Sequence, residues 1–150
     1  MRAYRIVKKR HVLSAFSGEG AKAFGGRWNR PGIPMVYAAE SRALAALEAL
    51  AHFQGAERHI ELMVFEIEIP DPILQRVDES SLPPGWRTPD PHSATQDLGS
   101  EWQLEMHSVA LLVPSVLIPA EHCVLLNPEH PDASRVMIAY PAAFAFDGRL

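Results

Sequence analysis

A chain of 150 residues is long enough for one domain with a real hydrophobic core, spanning 1–150 without a linker. Hydrophobic residues make up 47% and charged residues 21%, ordinary values for a soluble globular protein. A formal charge of −4 gives no electrostatic reason to expect nucleic acid or an anionic membrane as the main partner.

A single cysteine, Cys123, excludes an intrachain disulfide. With Val124, Leu125 and Leu126 after it, Cys123 reads as a small buried apolar residue rather than a nucleophile. The first residues lack the long apolar core of a signal peptide. The longest apolar run, Val109 to Ile118, is broken by Pro114 and is too short to span a membrane. A cytoplasmic location is the expectation.

Ala3 to Val7 reads as a first strand. The cations Arg2, Arg5, Lys8, Lys9, Arg10 and His11 around it suggest a solvated strand edge and turn. Residues 14–26, rich in Ser and Gly, read as an open loop, and Pro31-Gly32 as a turn. Ile33 to Ala39 is a strand. Ser41 then caps a helix over Arg42 to Phe53. On its wheel Ala43, Leu44, Leu47, Leu50 and Ala51 share the apolar arc, with Glu48 at the edge. Ile60 to Ile69 alternates, as a strand with one wetter face does.

Residues 70–100 carry Pro70, Pro72, Pro83, Pro84, Pro89 and Pro91 and read as a long insert or lid. Gln96 to Met106 predicts a helix with Ser93 or Asp97 near its start. Val109 to Ile118 is a central strand pair or a bent strand with a bulge or break at Pro114, which has no N–H for a ladder. Cys123 to Leu126, Val136 to Tyr140 and Phe144 to Asp147 complete the strands.

The seven histidines form no His-x-x-x-His pair and stand beside no Cys-x-x-Cys, so no metal site is expected. Dinucleotide and Walker glycine patterns and the Gly-x-Ser-x-Gly elbow are all missing. What stands out is Phe24-Gly25-Gly26-Arg27-Trp28-Asn29. A guanidinium on a Gly-rich loop suits bidentate phosphate recognition; a surface arginine stacked on Trp28 or paired with a carboxylate is the plainer alternative. Tyr37 on a strand offers a stacking face or is a core tyrosine. Glu48, bordering a Leu/Ala face, is paired, used, or turned to solvent. Ser115 after the break at Pro114 presents a hydroxyl or closes a turn, and Asn127 before Pro128 fits turn chemistry. These parts suit a nucleotide sugar handled without metal. Breaking an N-glycosidic bond passes through an oxocarbenium-like state that a carboxylate stabilises. Residue types alone do not select that substrate.

The sequence resembles the RES-domain family, the toxins of bacterial Xre–RES type II toxin–antitoxin systems, named for an arginine, a glutamate and a serine. The matches are Arg27 in Gly-Gly-Arg-Trp-Asn, Glu48 in Ala-Leu-Glu-Ala-Leu and Ser115 in Val-Pro-Ser-Val. Tyr4-Arg5-Ile6, Val36-Tyr37-Ala38 and Leu126-Asn127-Pro128-Glu129-His130-Pro131 support them, so the resemblance runs from Tyr4 to about Phe146. It implies an α+β fold like that of ADP-ribosyltransferase toxins, with a split, mostly antiparallel sheet and flanking helices around an NAD cleft. It implies cleavage of the nicotinamide–ribose bond of NAD⁺ by hydrolysis or phosphorolysis, or transfer of ADP-ribose to a protein. NAD⁺ is then a substrate, inorganic phosphate a co-substrate, and no cofactor is resident. Arg27 would bind the NAD phosphates, Tyr37 would orient the nicotinamide end, and Glu48 would support cleavage at the ribose. Ser115 and Asn127 would line the cleft. The implied partner is an Xre-type antitoxin that covers the cleft in a hetero-oligomeric complex and makes the DNA contact itself. A non-catalytic module on the same fold is the reading from a different class.

Overall fold

The computed structural model describes all residues, Met1–Leu150. Eight strands form one sheet: β1 (Arg2–Lys8), β2 (Val36–Ala39), β3 (Leu62–Glu68), β4 (Leu74–Arg76), β5 (Ala110–Pro114), β6 (His122–Leu126), β7 (Met137–Ile138) and β8 (Ala142–Phe144). Three α-helices accompany them: α1 (Glu19–Phe24), α2 (Arg42–His52) and α3 (Ser93–Leu104). The order across the sheet is β4-β5-β6-β2-β1-β3-β7, with β8 also on β3. Every pairing is antiparallel except β4 with β5. The expected α+β architecture is present, and so is the split. β1 and β2 meet at the single register pair Tyr4↔Ala39, whereas β1 and β3 run together from Arg2↔Glu68 to Lys8↔Leu62.

Alternation along the strands assigns two packed faces. Val36, Ala38, Ala110, Leu112, Val124 and Leu126 point into one core with Ala3, Ile67 and Ile69. On the opposite face Leu111, Val113 and Leu125 pack with Trp28, Met35 and Trp102, joined by Tyr37 and Cys123. β5 is buried at every position from Ala110 to Pro114, which is why its sequence is uniformly apolar rather than alternating. α2 lies over the Tyr37 face, with Leu44 and Ala45 against Ala39 and Cys123. Ser41 caps it as expected, its hydroxyl accepting from Leu44 N at 3.0 Å.

Several expectations are corrected. The stretch 14–26 is not an open loop: α1 occupies Glu19–Phe24. This helix is too short to stand on propensity. Tertiary donors fix its carbonyls, Gly32 N to Lys22 O at 2.7 Å and Asn29 Nδ2 to Ala21 O at 2.9 Å. The basic N-terminal strand is not an edge; β1 sits between β2 and β3. Three of the cations on or beside it are paired: Lys8 with Glu57 and over the Phe53 ring, Lys9 with Glu61, Arg2 with Glu66 and Glu68. The apolar arc of α2 is also rotated from the one predicted. Leu44, Ala45 and Ala49 are buried, while Ala43 and Ala51 are exposed and Leu47 is 37% exposed. At about 100° per residue, Glu48 projects between Leu44 and Ala45, inside the buried arc. β2 is shorter than expected, beginning at Val36. Within 70–100, the stretch Leu74–Arg76 is a strand parallel to β5, not part of a free insert.

Candidate active site

A small cavity of about 80 Å³ opens on the sheet face that carries the helices, lined by Arg27, Trp28, Glu48, Pro114, Val116 and Cys123. Each wall has a local cause. Glu48 comes from the inner side of α2. Cys123 is directed to this face because it pairs with Ala39 in the β2–β6 register. β5 ends at Pro114, as the missing N–H requires, and the chain turns back so that Ser115 N reaches Glu121 O at 2.9 Å.

That turn organises the carboxylate. Ser115 is fully buried, and its hydroxyl accepts from Leu117 N and Ile118 N, both at 3.1 Å. With its acceptor side thus occupied, the hydroxyl donates to Glu48 Oε1 at 2.8 Å. The Cys123 thiol donates to the same oxygen at 3.3 Å. Both protein donors converge on Oε1, and Oε2 carries no protein hydrogen bond. Cys123 is therefore not the plain apolar residue expected from its neighbours. Burial, reinforced by the Glu48 charge, pushes its thiol far above the ordinary range, which leaves it a donor and not a nucleophile.

Arg27 lies on the tip of a tight turn, Gly26 N donating to Asn29 O at 2.9 Å. Its Nη1 donates to Trp86 O at 3.0 Å, and Nη2 to Thr88 O at 2.8 Å and Pro89 O at 3.0 Å. Part of the prolyl segment thus folds over the arginine. Half-burial lowers the Arg27 pKa, opposed by the charge of Glu48 across the cavity; the group stays cationic. α3 braces the same turn: Thr95 Oγ1 donates to Arg27 O at 2.8 Å, and Gln96 Nε2 to Gly26 O at 3.0 Å. Gly26 and Gly99 permit this packing. A Cβ on Gly26 would stand 2.7 Å from Tyr37 Oη, and one on Gly99 would stand 1.8 Å from Trp28 O.

Tyr37 sits behind this turn. Its hydroxyl donates to Asn29 Oδ1 at 2.6 Å and accepts from Trp28 N at 3.1 Å, and burial raises its pKa strongly. The hydroxyl is committed to the protein, although the ring belongs to the face on which the cavity opens. Asn127 lies elsewhere. It follows the far end of β6, four residues beyond Cys123, about 13 Å at a strand rise of about 3.3 Å. It is fully buried, donating to Gln103 O at 2.9 Å and accepting from Gln103 Nε2 at 3.2 Å and Glu129 N at 3.0 Å. The structure therefore brings Arg27, Glu48 and Ser115 together with Tyr37 behind them. It gives Asn127 a role in joining α3 to β6, not a place among the cavity-lining residues, because each of its polar groups is consumed there.

Two contributors were not singled out as site residues from the sequence. One is Cys123. The other is Arg5, whose Nη1 donates to Tyr37 O at 2.6 Å and whose Nε donates to Ala15 O at 2.8 Å. Burial lowers the Arg5 pKa to about 10. The surplus of arginine on a strand with buried neighbours was the available clue. No group of three or more His, Cys, Asp and Glu side chains is placed to hold a metal ion.

A simple ordering tests the donor role of Cys123. If the thiol serves Glu48, Cys123→Ser keeps activity and Cys123→Ala loses about three- to tenfold, the worth of one ordinary hydrogen bond, because a thiol is a weak donor. Simple packing would give the reverse order, since a buried hydroxyl costs more than a small void. Iodoacetamide at pH 8 leaves Cys123 unmodified in the folded protein, read by mass.

The family profile of the RES domain matches residues 2–147. A protein of Yersinia enterocolitica named Toxin Res is 40% identical over 151 residues, covering 100% of this chain and 99% of that one. A Sphingobium protein named Prs ADP-ribosylating toxin is 39% identical over 152 residues, covering 98% and 94%. Among solved structures, the crystal structure of the M. tuberculosis MbcT–MbcA toxin–antitoxin complex aligns with a TM-score of 0.76 at 21% identity, over 96% of this chain and 84% of that one. A profile match over nearly every residue, from β1 to beyond β8, makes this chain a member of the RES domain family.

Proposed function

We propose that this protein is the toxin of a type II toxin–antitoxin system and that it consumes NAD⁺ at the cavity between Arg27 and Glu48. The observation that carries the reading is the carboxylate: Glu48 has Oε1 held by Ser115 and Cys123 and Oε2 left for a ligand, with a cationic arginine on the same cavity. In this reading the Arg27 guanidinium takes the pyrophosphate. Oε2 faces the ribose as the bond from its anomeric carbon to nicotinamide breaks. The electron pair leaves with nicotinamide, which departs neutral. The cationic sugar is stabilised by the Glu48 charge in a poorly solvated site. Water or inorganic phosphate then adds to the anomeric carbon; water gives up a proton in doing so. No resident cofactor takes part. An Xre-type antitoxin covering the cleft restrains the enzyme in the cytoplasm. The fold shared with the toxin of a toxin–antitoxin complex supports such a partner.

A second reading shares the cavity and changes the acceptor to a protein side chain. The relative named Prs ADP-ribosylating toxin favours it. Purified protein incubated with NAD⁺, with and without inorganic phosphate, separates the readings by the masses of the products. Nicotinamide with ADP-ribose, or with its phosphorylated form, supports hydrolysis or phosphorolysis. ADP-ribose retained on a protein supports transfer. Intact NAD⁺ under all conditions, with added acceptor proteins and no antitoxin, would leave only the non-catalytic module.

A further inference from the structure

We infer that Asn29 is a positioning residue of this site: its carboxamide locks the turn that carries Arg27 to the hydroxyl of Tyr37, and so fixes where the guanidinium is presented. The inference deepens the proposed function and rests on it for its kinetic consequence.

Asn29 is fully buried and uses its whole side chain. Nδ2 donates to Ala21 O at 2.9 Å, Ile33 O at 3.0 Å and Arg30 O at 3.2 Å. Oδ1 accepts from the Tyr37 hydroxyl at 2.6 Å. One amide thereby joins α1, both sides of the loop that follows and β2. Its own backbone oxygen closes the Gly26–Asn29 turn. Arg27 and Trp28 are the two residues between those ends.

The close approach of this pair to the turn is an independent sign of its purpose. A Cβ at Gly26 would meet Tyr37 Oη at 2.7 Å and Asn29 Oδ1 at 2.9 Å. The Asn29–Tyr37 hydrogen bond therefore sits directly against the backbone one residue before Arg27, and only glycine fits there. A shift of the amide moves the turn, and the turn carries the arginine. Other side chains fail at the task for simple reasons. Asp in place of Asn29 would set a carboxylate against three carbonyl oxygens. Ser would not span from β2 to α1.

The test has two arms. In the first, kcat and KM for NAD⁺ are measured for the wild type, Asn29→Ser, Tyr37→Phe and the double variant. Asn29→Ser is expected to raise KM about tenfold and to lower kcat less than threefold, because it displaces a binding group and leaves Glu48 untouched. The double variant should lose less than the two single variants multiplied together, since the two side chains share one hydrogen bond, even though Tyr37→Phe also removes the acceptor of Trp28 N. In the second arm, the order parameter of the Arg27 Nε–Hε vector is measured by NMR on ¹⁵N-labelled protein without substrate. It is expected to fall measurably in Asn29→Ser relative to the wild type, even though Nη1 and Nη2 keep their acceptors at Trp86, Thr88 and Pro89, while the backbone amides of β5 and β6 stay unchanged. An Arg27 signal as ordered in Asn29→Ser as in the wild type overturns the inference, as does a variant with wild-type KM. If the wild type does not consume NAD⁺, the proposed function fails, and the NMR arm alone then decides the role of Asn29. Loss of β5 and β6 order together with Arg27 would mark Asn29 as a general folding residue and would also overturn it.

Discussion

On the proposed reaction, Glu48→Gln is expected to lower the rate of NAD⁺ cleavage by about 10²- to 10³-fold, the cost of removing one preorganised electrostatic partner of a transition state, and to leave the protein folded. The substitution isolates charge. The Gln carbonyl oxygen still accepts from Ser115 and Cys123, so the anchors of Oε1 survive. What changes is the second atom, where a negative oxygen without a protein partner becomes an uncharged amide group. Because Glu48 is only half-buried, the melting temperature should stay within a few degrees of the wild type. Single-turnover kinetics with saturating enzyme give the relevant rate free of product release. A Gln variant that keeps more than about a tenth of the wild-type rate would remove Glu48 from the chemistry. Ser115→Ala should fall between the two, since it takes away one donor but leaves the charge.

Gly99→Ala should be among the most destabilising single methyl additions to this chain. The new Cβ would lie 1.8 Å from the carbonyl oxygen of Trp28 and 2.8 Å from its carbon. These are backbone atoms, so no side-chain rotation relieves the overlap. α3 cannot simply retreat, because Trp102 on its inner face is packed with Leu111, Val113 and Leu125. Overpacking of this kind costs about 3 kcal/mol or more, a fall in Tm of roughly 6–12 °C for a domain of this size. Activity should drop beyond the loss of stability, since the turn pushed by α3 is the one that carries Arg27. Gly20→Ala is the control. A Cβ there meets nothing within 4 Å, and in α1 it should stabilise by about 0.5–1 kcal/mol. A Gly99→Ala protein melting within about 2 °C of the wild type would refute the close packing of α3 on the turn.

Much of this site could be read from residues near one another in the chain. Ser41 announced the start of α2 through its cap, and Pro114 announced the end of β5 and the turn that presents Ser115. Arg27 was visible because glycines precede it. What the sequence hid were relationships across the chain. The buried side of α2 follows from which strands it covers, so Glu48 was placed at the rim of an arc that in fact surrounds it. Cys123 looked like part of an apolar run until the register with Ala39 turned it toward the cavity. α1 is held by donors from Asn29 and Gly32, beyond its own end. Asn127 belongs to the matched Leu126-Asn127-Pro128 stretch, yet its amide is spent on Gln103 at the other end of β6. Tyr37 was identified as an aromatic face, while its hydroxyl turned out to hold the loop carrying Arg27.

The seam between β1 and β2 bears on how the molecule would respond to force. Seven register pairs clamp β1 to β3, and four hold β2 to β6, but only one joins β1 to β2. Where further rungs are missing, the Arg5 guanidinium crosses from β1 to the carbonyl of Tyr37. Between the strands themselves, a load that drew the two half-sheets apart would meet a single rung and one charged tether, in place of rungs loaded in parallel, so the joint depends on the shared core of Ala3 and Ile67 with Val36 and Val124 and on α2 above it. Within the sheet, the ladder would therefore part first along the line that runs beside Tyr37. A pulling experiment should therefore break the β1–β2 rung before it unravels the ladder of either half-sheet.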